Sequence, residues 1–228
     1  MGFIYFEEGQ YFMTQNKLTK FEDYCNEESK TKWLEERRNG IGGSDAAGVL
    51  KMSKWSSPFS VYIEKIEGRS KVIDPELSYW GKALEDDIIE RFQKDTGIKI
   101  IHNKSNKISW SKNTPFLFAT VDGWVDPKYS KENAGIECKT ANKANEPSWD
   151  RNIPDDYMVQ CQHSMYVTEC DHWYLAVLIG NHTYKSYMVK RNEGFIKEMV
   201  EIYTNFWNNH ILKKDPRSEE HTSELQSL

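Results

Sequence analysis

Residues 116–140 read FLFATVDGWVDPKYSKENAGIECKT, and the alternation of apolar and charged residues along this stretch decides the fold. Phe116-Leu117-Phe118-Ala119-Thr120-Val121 is an apolar, β-prone run that ends in Asp122-Gly123, where a strand should turn. Gly123-Trp124-Val125-Asp126 is a second short run, closed by Asp126-Pro127, and Ile136-Glu137-Cys138-Lys139-Thr140 is a third. Alternate residues of a strand share a face, so Glu137 and Lys139 project together while Ile136, Cys138 and Thr140 face the other way. An isolated Glu-x-Lys is most often an ion pair on a solvated sheet, and Asp before Gly is most often a turn residue. An acid at the end of a buried strand instead demands a cation or a metal. On this stretch alone both readings stay open.

Further β-like runs precede it, IKII at 98–101 and KISW at 107–110. Upstream the periodicity turns helical. The spacing predicts a helix from about Glu28 to Arg38, then a tight turn, Asn39-Gly40-Ile41-Gly42-Gly43, then a short helix to Leu50 capped by Ser44 or Asp45. Another helix starts near Pro58, and a long one runs from about Leu77 to Thr96, stopped by Gly97. Downstream come a helix from Asp155 to Thr168, two strands, HWYLAVLIG and TYKSYMVKR, joined near Gly180-Asn181, and a last helix from Glu193 to Leu212. This order predicts a single α/β domain with a central mixed β-sheet flanked by helices, rather than a repeated βα alternation.

Two helices carry polar residues where apolar ones are expected. At 100° per residue, Trp80, Leu84, Ile88, Gly81, Phe92 and Ile89 fill one arc, and Glu85 falls inside it. Asp86, Asp87 and Glu90 lie opposite. An inward Glu needs a basic partner or a metal. On the helix from Asp155, Tyr157, Gln160 and Ser164 form one stripe beside Cys161, able to satisfy backbone atoms or to line a cleft, and His163 lies off it as a structural residue.

Composition bounds the function. The 228 residues are 38% hydrophobic, 13% aromatic and 29% charged, with a net charge of -5. Eight Trp, 12 Tyr and 10 Phe exclude wholesale disorder. No apolar run approaches the roughly 20 residues of a membrane helix, and MGFIYFEEGQYF lacks the pattern of a signal peptide. Cys25, Cys138, Cys161 and Cys170 form no C-x-x-C pair, which points to a reducing, cytoplasmic setting without a disulfide framework. Residues 217–227, RSEEHTSELQS, are similar to the in-frame translation of a sequencing-library adapter, so residues 217–228 are expected to be a non-native tail. They hold one Arg and three Glu, a net of -2, which leaves -3 for residues 1–216. The expected division is an extension over 1–27, a domain over 28–216 and this tail.

Taken in order, five segments resemble the YqaJ-type viral recombinases, relatives of phage lambda exonuclease within the PD-(D/E)xK nuclease superfamily. They are Trp33-Leu34-Glu35-Glu36-Arg37 with GIGGSDAAGVL, then WGKALEDDIIERFQKDTG, ATVDGWVD, IECKT and YMVQCQHSMYVT, covering about Trp33 to Leu178. Val121 stands where the superfamily signature has proline, a position that shapes backbone rather than chemistry. The resemblance implies a restriction-endonuclease-like core and a metal-dependent DNA exonuclease that degrades linear duplex ends from 5′ to 3′. It implies Mg²⁺ or Mn²⁺ held by Asp122, Glu137 and the carbonyl of Cys138, with Glu85 completing the acidic cluster directly or through water. Lys139 would orient and help deprotonate the attacking water, Gln160 and Tyr157 would support the nucleophile or scissile phosphate, and Arg37 with Ser44 would bind the 5′ phosphate.

Hard oxygen ligands suit Mg²⁺ or Mn²⁺, and a lysine beside the water lowers the cost of its deprotonation. The glycine turn and helix start are expected to offer backbone N–H groups to that phosphate. Implied partners are double-stranded DNA ends, a single-strand annealing protein and two further copies in a homotrimer ring, in a phage- or prophage-encoded setting with no membrane. Two alternatives stand beside this: a RecB-like iron–sulfur exonuclease and a non-catalytic DNA-end-binding scaffold. With the three carboxylates neutralised by metal, residues 1–216 balance to zero (-3 plus 3), so net acidity does not exclude DNA.

Overall fold

The structure, a computed structural model, describes residues 27–69 and 74–216. The expected N-terminal extension, save Glu27, and the expected adapter-derived tail lie outside the described residues. The chain divides into two units, Met1–Glu36 and Arg37–Leu228, and the second carries every contact described below. The described helices are α1 (Glu27–Arg38), α2 (Gly43–Val49), α3 (Pro58–Glu67), α4 (Pro75–Ala83), α5 (Glu85–Thr96), α6 (Glu146–Arg151), α7 (Asp155–Thr168) and α8 (Glu193–Phe206). The strands are β1 (Ile100–His102), β2 (Ile108–Trp110), β3 (Phe118–Thr120), β4 (Gly123–Val125), β5 (Ala134–Ala141), β6 (His172–Ile179) and β7 (Thr183–Lys190).

A five-stranded sheet runs β1-β4-β5-β6-β7, and β2 pairs with β3 as a separate antiparallel ribbon. Only the β5–β6 pair is parallel; it is spanned by α7, and the neighbouring pairs are antiparallel. This is the single α/β domain with a mixed sheet that the element order predicts. Its centre is pinned by a close approach: Gly135 faces Trp173 across the β5–β6 register, and a Cβ on Gly135 would lie 2.3 Å from the Trp173 ring. Only glycine fits there.

Two cores cover the two faces. On one, Ile88, Ile89 and Phe92 of α5 pack on Ile136, Cys138, Tyr174 and Ala176. On the other, α2, α7 and α8 cover Leu175, Val177 and Ile179 through Ala46, Val159, Met165 and Met199. Side chains alternate along β5, so Glu137 and Lys139 leave the α5 side and point under α7, as the alternation predicts.

Three boundaries differ from the sequence reading. The helix expected over 77–96 breaks at Leu84, whose backbone (φ -90°, ψ -5°) ends α4 and starts α5. The break resets the helical phase, so Trp80, placed in the core-facing arc by continuous periodicity, is 54% exposed, while Ile88, Ile89 and Phe92 are buried. The last helix stops at Phe206 and gives way to a π-helical turn over Trp207–Ile211. Finally, Gly42 rather than Ser44 or Asp45 caps α2, and the Asp45 carboxylate reaches back to accept the Gly42 N–H at 2.8 Å.

Candidate active site

The Glu137–Lys139 pair is not on a solvated face. Glu137 is 5% exposed, and its Oε1 accepts from Lys139 Nζ at 2.6 Å and from Gln160 Nε2 at 2.6 Å. Gln160 comes from α7, one turn beyond Tyr157, whose ring lies 5.5 Å from Lys139 Nζ. Tyr157 is held in turn by stacking on Trp149, at 5.0 Å between centroids. The polar stripe predicted on α7 therefore meets the Glu-x-Lys strand. His163 faces elsewhere: it is fully buried, and its Nε2 bonds the Phe118 carbonyl at 2.8 Å, the structural role expected of it.

Asp122 joins the cluster from the bend between β3 and β4. Asn103 holds this bend: its N–H donates to the Asp122 carbonyl at 2.8 Å, and its side-chain amide donates to the Val121 carbonyl at 2.9 Å. Asp122 Oδ2 then accepts the Cys138 N–H at 2.7 Å, which ties the bend to the middle of β5. Burial, reinforced by the nearby charges of Glu137 and then Glu85, pushes the Asp122 carboxyl well above the usual carboxylate range. Burial opposes the Lys139 charge, but Glu137 and Asp122 overcome it and raise the ammonium above its ordinary value. The lysine is therefore a fixed cation beside two crowded acids.

Glu85 is inward-facing and held by basic groups. Its Oε2 accepts from Lys82 Nζ at 2.6 Å and lies 3.4 Å from His102 Nε2. Lys82 also donates to Asn106 at 2.8 Å. Hydrogen bonding to Glu85 raises the His102 imidazole's pKa against the opposing effect of burial, with help from Asp86. The sequence left Glu85 between a basic partner and a metal, and Lys82 and His102 are two basic groups beside it. The i,i+3 spacing of Lys82 and Glu85 was a usable signal, whereas His102 stands on a different strand and gave none.

The donor chemistry fits a hard divalent cation at Asp122 and Glu137. Glu137 Oε2 is buried without a hydrogen-bond partner, and the two acids crowd one another. Mg²⁺ is commonly bound by one or two carboxylates, with water and substrate phosphate completing the shell. Among the described residues no group of three or more His, Cys, Asp or Glu side chains is arranged to hold a metal ion. Cys138, Cys161 and Cys170 are each buried and free of disulfides.

The predicted phosphate pair also meets: Arg37 donates to Ser44 Oγ at 2.8 Å, and its guanidinium lies 5.3 Å from the Phe118 ring centroid. This turn is close to the carboxylate cluster, since a Cβ on Gly43 would stand 3.1 Å from Gln160 Cγ.

A five-stranded mixed sheet flanked by helices, with the β5–β6 crossover made by α7, defines a single α/β domain. Residues 32–171 match the YqaJ-like viral recombinase domain, and the chain belongs to that family. The uncharacterized protein YqaJ of Bacillus subtilis (strain 168) is 35% identical over 192 residues, 82% of this chain and 58% of that relative. The chain thus spans little more than half of the relative's length.

The alkaline exonuclease LHK-Exo of Laribacter hongkongensis superposes with a TM-score of 0.65 at 18% identity, over 80% of this chain and 93% of that one. Its complex with dAMP gives 0.65 at 16% identity, over 87% and 100%. A phage-related exonuclease from Haemophilus somnus 129PT gives 0.57 at 13% identity, over 77% and 96%. At these identities the likeness is one of fold. No helix among the described residues is long and apolar enough to cross a membrane.

Proposed function

We propose that this protein is a DNA exonuclease that hydrolyses phosphodiester bonds at linear duplex ends. The observation that carries this reading is the buried unit of Glu137, Lys139 and Gln160 beside Asp122, in which Glu137 Oε2 has no hydrogen-bond partner. A fully paired structural ion pair would leave no such oxygen. Asp122, Glu137 and the Cys138 carbonyl would hold Mg²⁺ or Mn²⁺, which supplies charge neutralisation at phosphate oxygens and acidifies water. Lys139, anchored by Glu137 and lying over Tyr157, fixes one cation at the site, positions the nucleophilic water and stabilises its deprotonated form. Gln160 holds the Glu137 carboxylate in place from α7.

Arg37 and Ser44 would take a terminal 5′ phosphate, giving 5′ to 3′ polarity, because a guanidinium fork matches a phosphate monoester. In this reading the enzyme exposes a 3′ strand for a single-strand annealing protein during phage-type recombination in the bacterial cytoplasm, and three copies form a ring around the duplex.

The test incubates 5′-phosphorylated linear duplex with Mg²⁺ and the protein, beside Asp122→Ala and Lys139→Ala. Wild type releases nucleotides and both variants lose about 2–4 orders of magnitude in rate. No release by wild type, or equal release by the variants, removes the nuclease reading. End-labelled substrates give the polarity, and light scattering gives the number of copies.

A further inference from the structure

Next to the Arg37–Ser44 hydrogen bond in sequence and space lies an ion pair, Asp45 with Lys65. The Lys65 side chain has no exposed surface and that of Asp45 is 6% exposed. Lys65 Nζ is 2.7 Å from Asp45 Oδ2 and 3.3 Å from the Arg37 carbonyl, and the same Asp45 oxygen accepts the Gly42 N–H at 2.8 Å. One ammonium and one carboxylate thus tie together the last turn of α1, the glycine turn and the first turn of α2. A buried ion pair contributes little net stability, because removing both charges from water offsets their attraction. What it does supply is geometry. Arg37 is fixed at both ends, its carbonyl by Lys65 and its guanidinium by Ser44 and the Phe118 ring. The Phe118 ring also presses on the turn, where a Cβ on Gly42 would lie 2.6 Å from it.

We propose that Asp45 and Lys65 are positioning residues that fix Arg37 and Ser44 for a terminal phosphate monoester, and so set a preference for 5′-phosphorylated over 5′-hydroxyl ends. Neither residue touches the phosphate; each acts through Arg37 or the glycine turn. The inference rests on the nuclease reading and deepens it.

The double variant Asp45→Asn/Lys65→Met tests it. Asn keeps an acceptor for the Gly42 N–H and Met keeps the length of the side chain, while the charges and the bond to the Arg37 carbonyl are lost. Hydrolysis of duplexes differing only in the 5′ phosphate is compared for wild type, Arg37→Ala and the double variant. Equilibrium binding of the same duplexes is measured in EDTA.

Wild type should prefer the phosphorylated end by about tenfold, the worth of one good charge-assisted contact. The double variant should lose that preference as Arg37→Ala does, with its melting temperature and its rate on 5′-hydroxyl ends held at wild-type level. A double variant that keeps the preference, or that slows equally on both ends, overturns the proposal. If it fails to fold, Lys65→Met alone carries the test, since it removes the bond to the Arg37 carbonyl, and a folded single variant with full wild-type preference overturns it. Wild type that binds phosphorylated ends more tightly yet cuts neither removes the nuclease reading alone. Wild type that cuts both ends alike removes the positioning role alone.

Discussion

Acidification should destabilise this protein through a buried histidine of α7. His163 is fully buried in α7, with Nε2 on the Phe118 carbonyl at 2.8 Å, the Tyr203 ring 5.7 Å away, and Nδ1 without a partner. Burial lowers its pKa from 6.5 to about 4, against smaller opposing effects of the Phe118 carbonyl and of Asp45. The folded state therefore keeps the imidazole neutral while the unfolded chain protonates it. Between those two values the unfolded state binds more protons, so stability is full above pH 6.5 and falls as pH drops towards 4. At about 1.4 kcal/mol per tenfold change in proton affinity, the loss approaches ~3 kcal/mol. That is a large part of the 5–15 kcal/mol typical of a domain.

The assay is urea unfolding across pH 4–8 for wild type and His163→Gln, in which an amide can still donate to the Phe118 carbonyl but cannot titrate. The stability difference between the two proteins should be flat above pH 7 and move by ~3 kcal/mol in favour of the variant by pH 4. Parallel curves for the two proteins would refute the reasoning.

Three further outcomes follow from the same geometry. Asp122→Asn should stabilise the protein in EDTA at pH 8 by about 1 kcal/mol while abolishing hydrolysis, since the amide still accepts the Cys138 N–H and removes a carboxylate crowded by Glu137. The Asp122 pKa is raised, so the gain should fade as pH falls and the wild-type carboxylate protonates; a gain independent of pH in chemical denaturation would contradict the crowding. Gly135→Ala should destabilise by about 1–3 kcal/mol, because the Trp173 ring that the methyl would strike has no exposed surface, and thermal melts should show a drop of several degrees. Adding Mg²⁺ at about 100 times its Kd should raise wild-type stability by about 2.7 kcal/mol and that of Asp122→Ala much less, read by thermal shift; equal shifts would place the cation elsewhere.

The β5 strand was legible because alternation alone decides which side chains share a face, and the sheet left Glu137 and Lys139 no other direction. The span of α7, Asp155–Thr168, was legible as one continuous run, which the structure ends at a left-handed Glu169. The break at Leu84 was not, because the residues on either side share one apolar period and only the observed backbone separates them. Nor was the Asp45–Lys65 pair, which joins two helices across 20 residues of sequence with no local pattern to mark it. Periodicity finds the face on which a residue lies. It does not find the partner waiting there from another element.

Two charged units, the part-buried Glu137–Lys139 and the buried Asp45–Lys65, contribute little net stability, since each takes charge out of water. Gln160 lies between the first unit and the glycine turn. Gln160 bonds Glu137 through its amide, and its methylene stem backs against the position where Gly43 lacks a Cβ. A movement of the glycine turn towards α7 would therefore press on the group that holds Glu137. The absence of a side chain at 43 lets the turn approach α7 without that pressure, so the glycine turn and the acid–lysine cluster share one wall. Net charge is blind to this arrangement. The total of -5 counts every surface acid equally, whereas the chemistry depends on the few charges the fold has buried and on what stands between them.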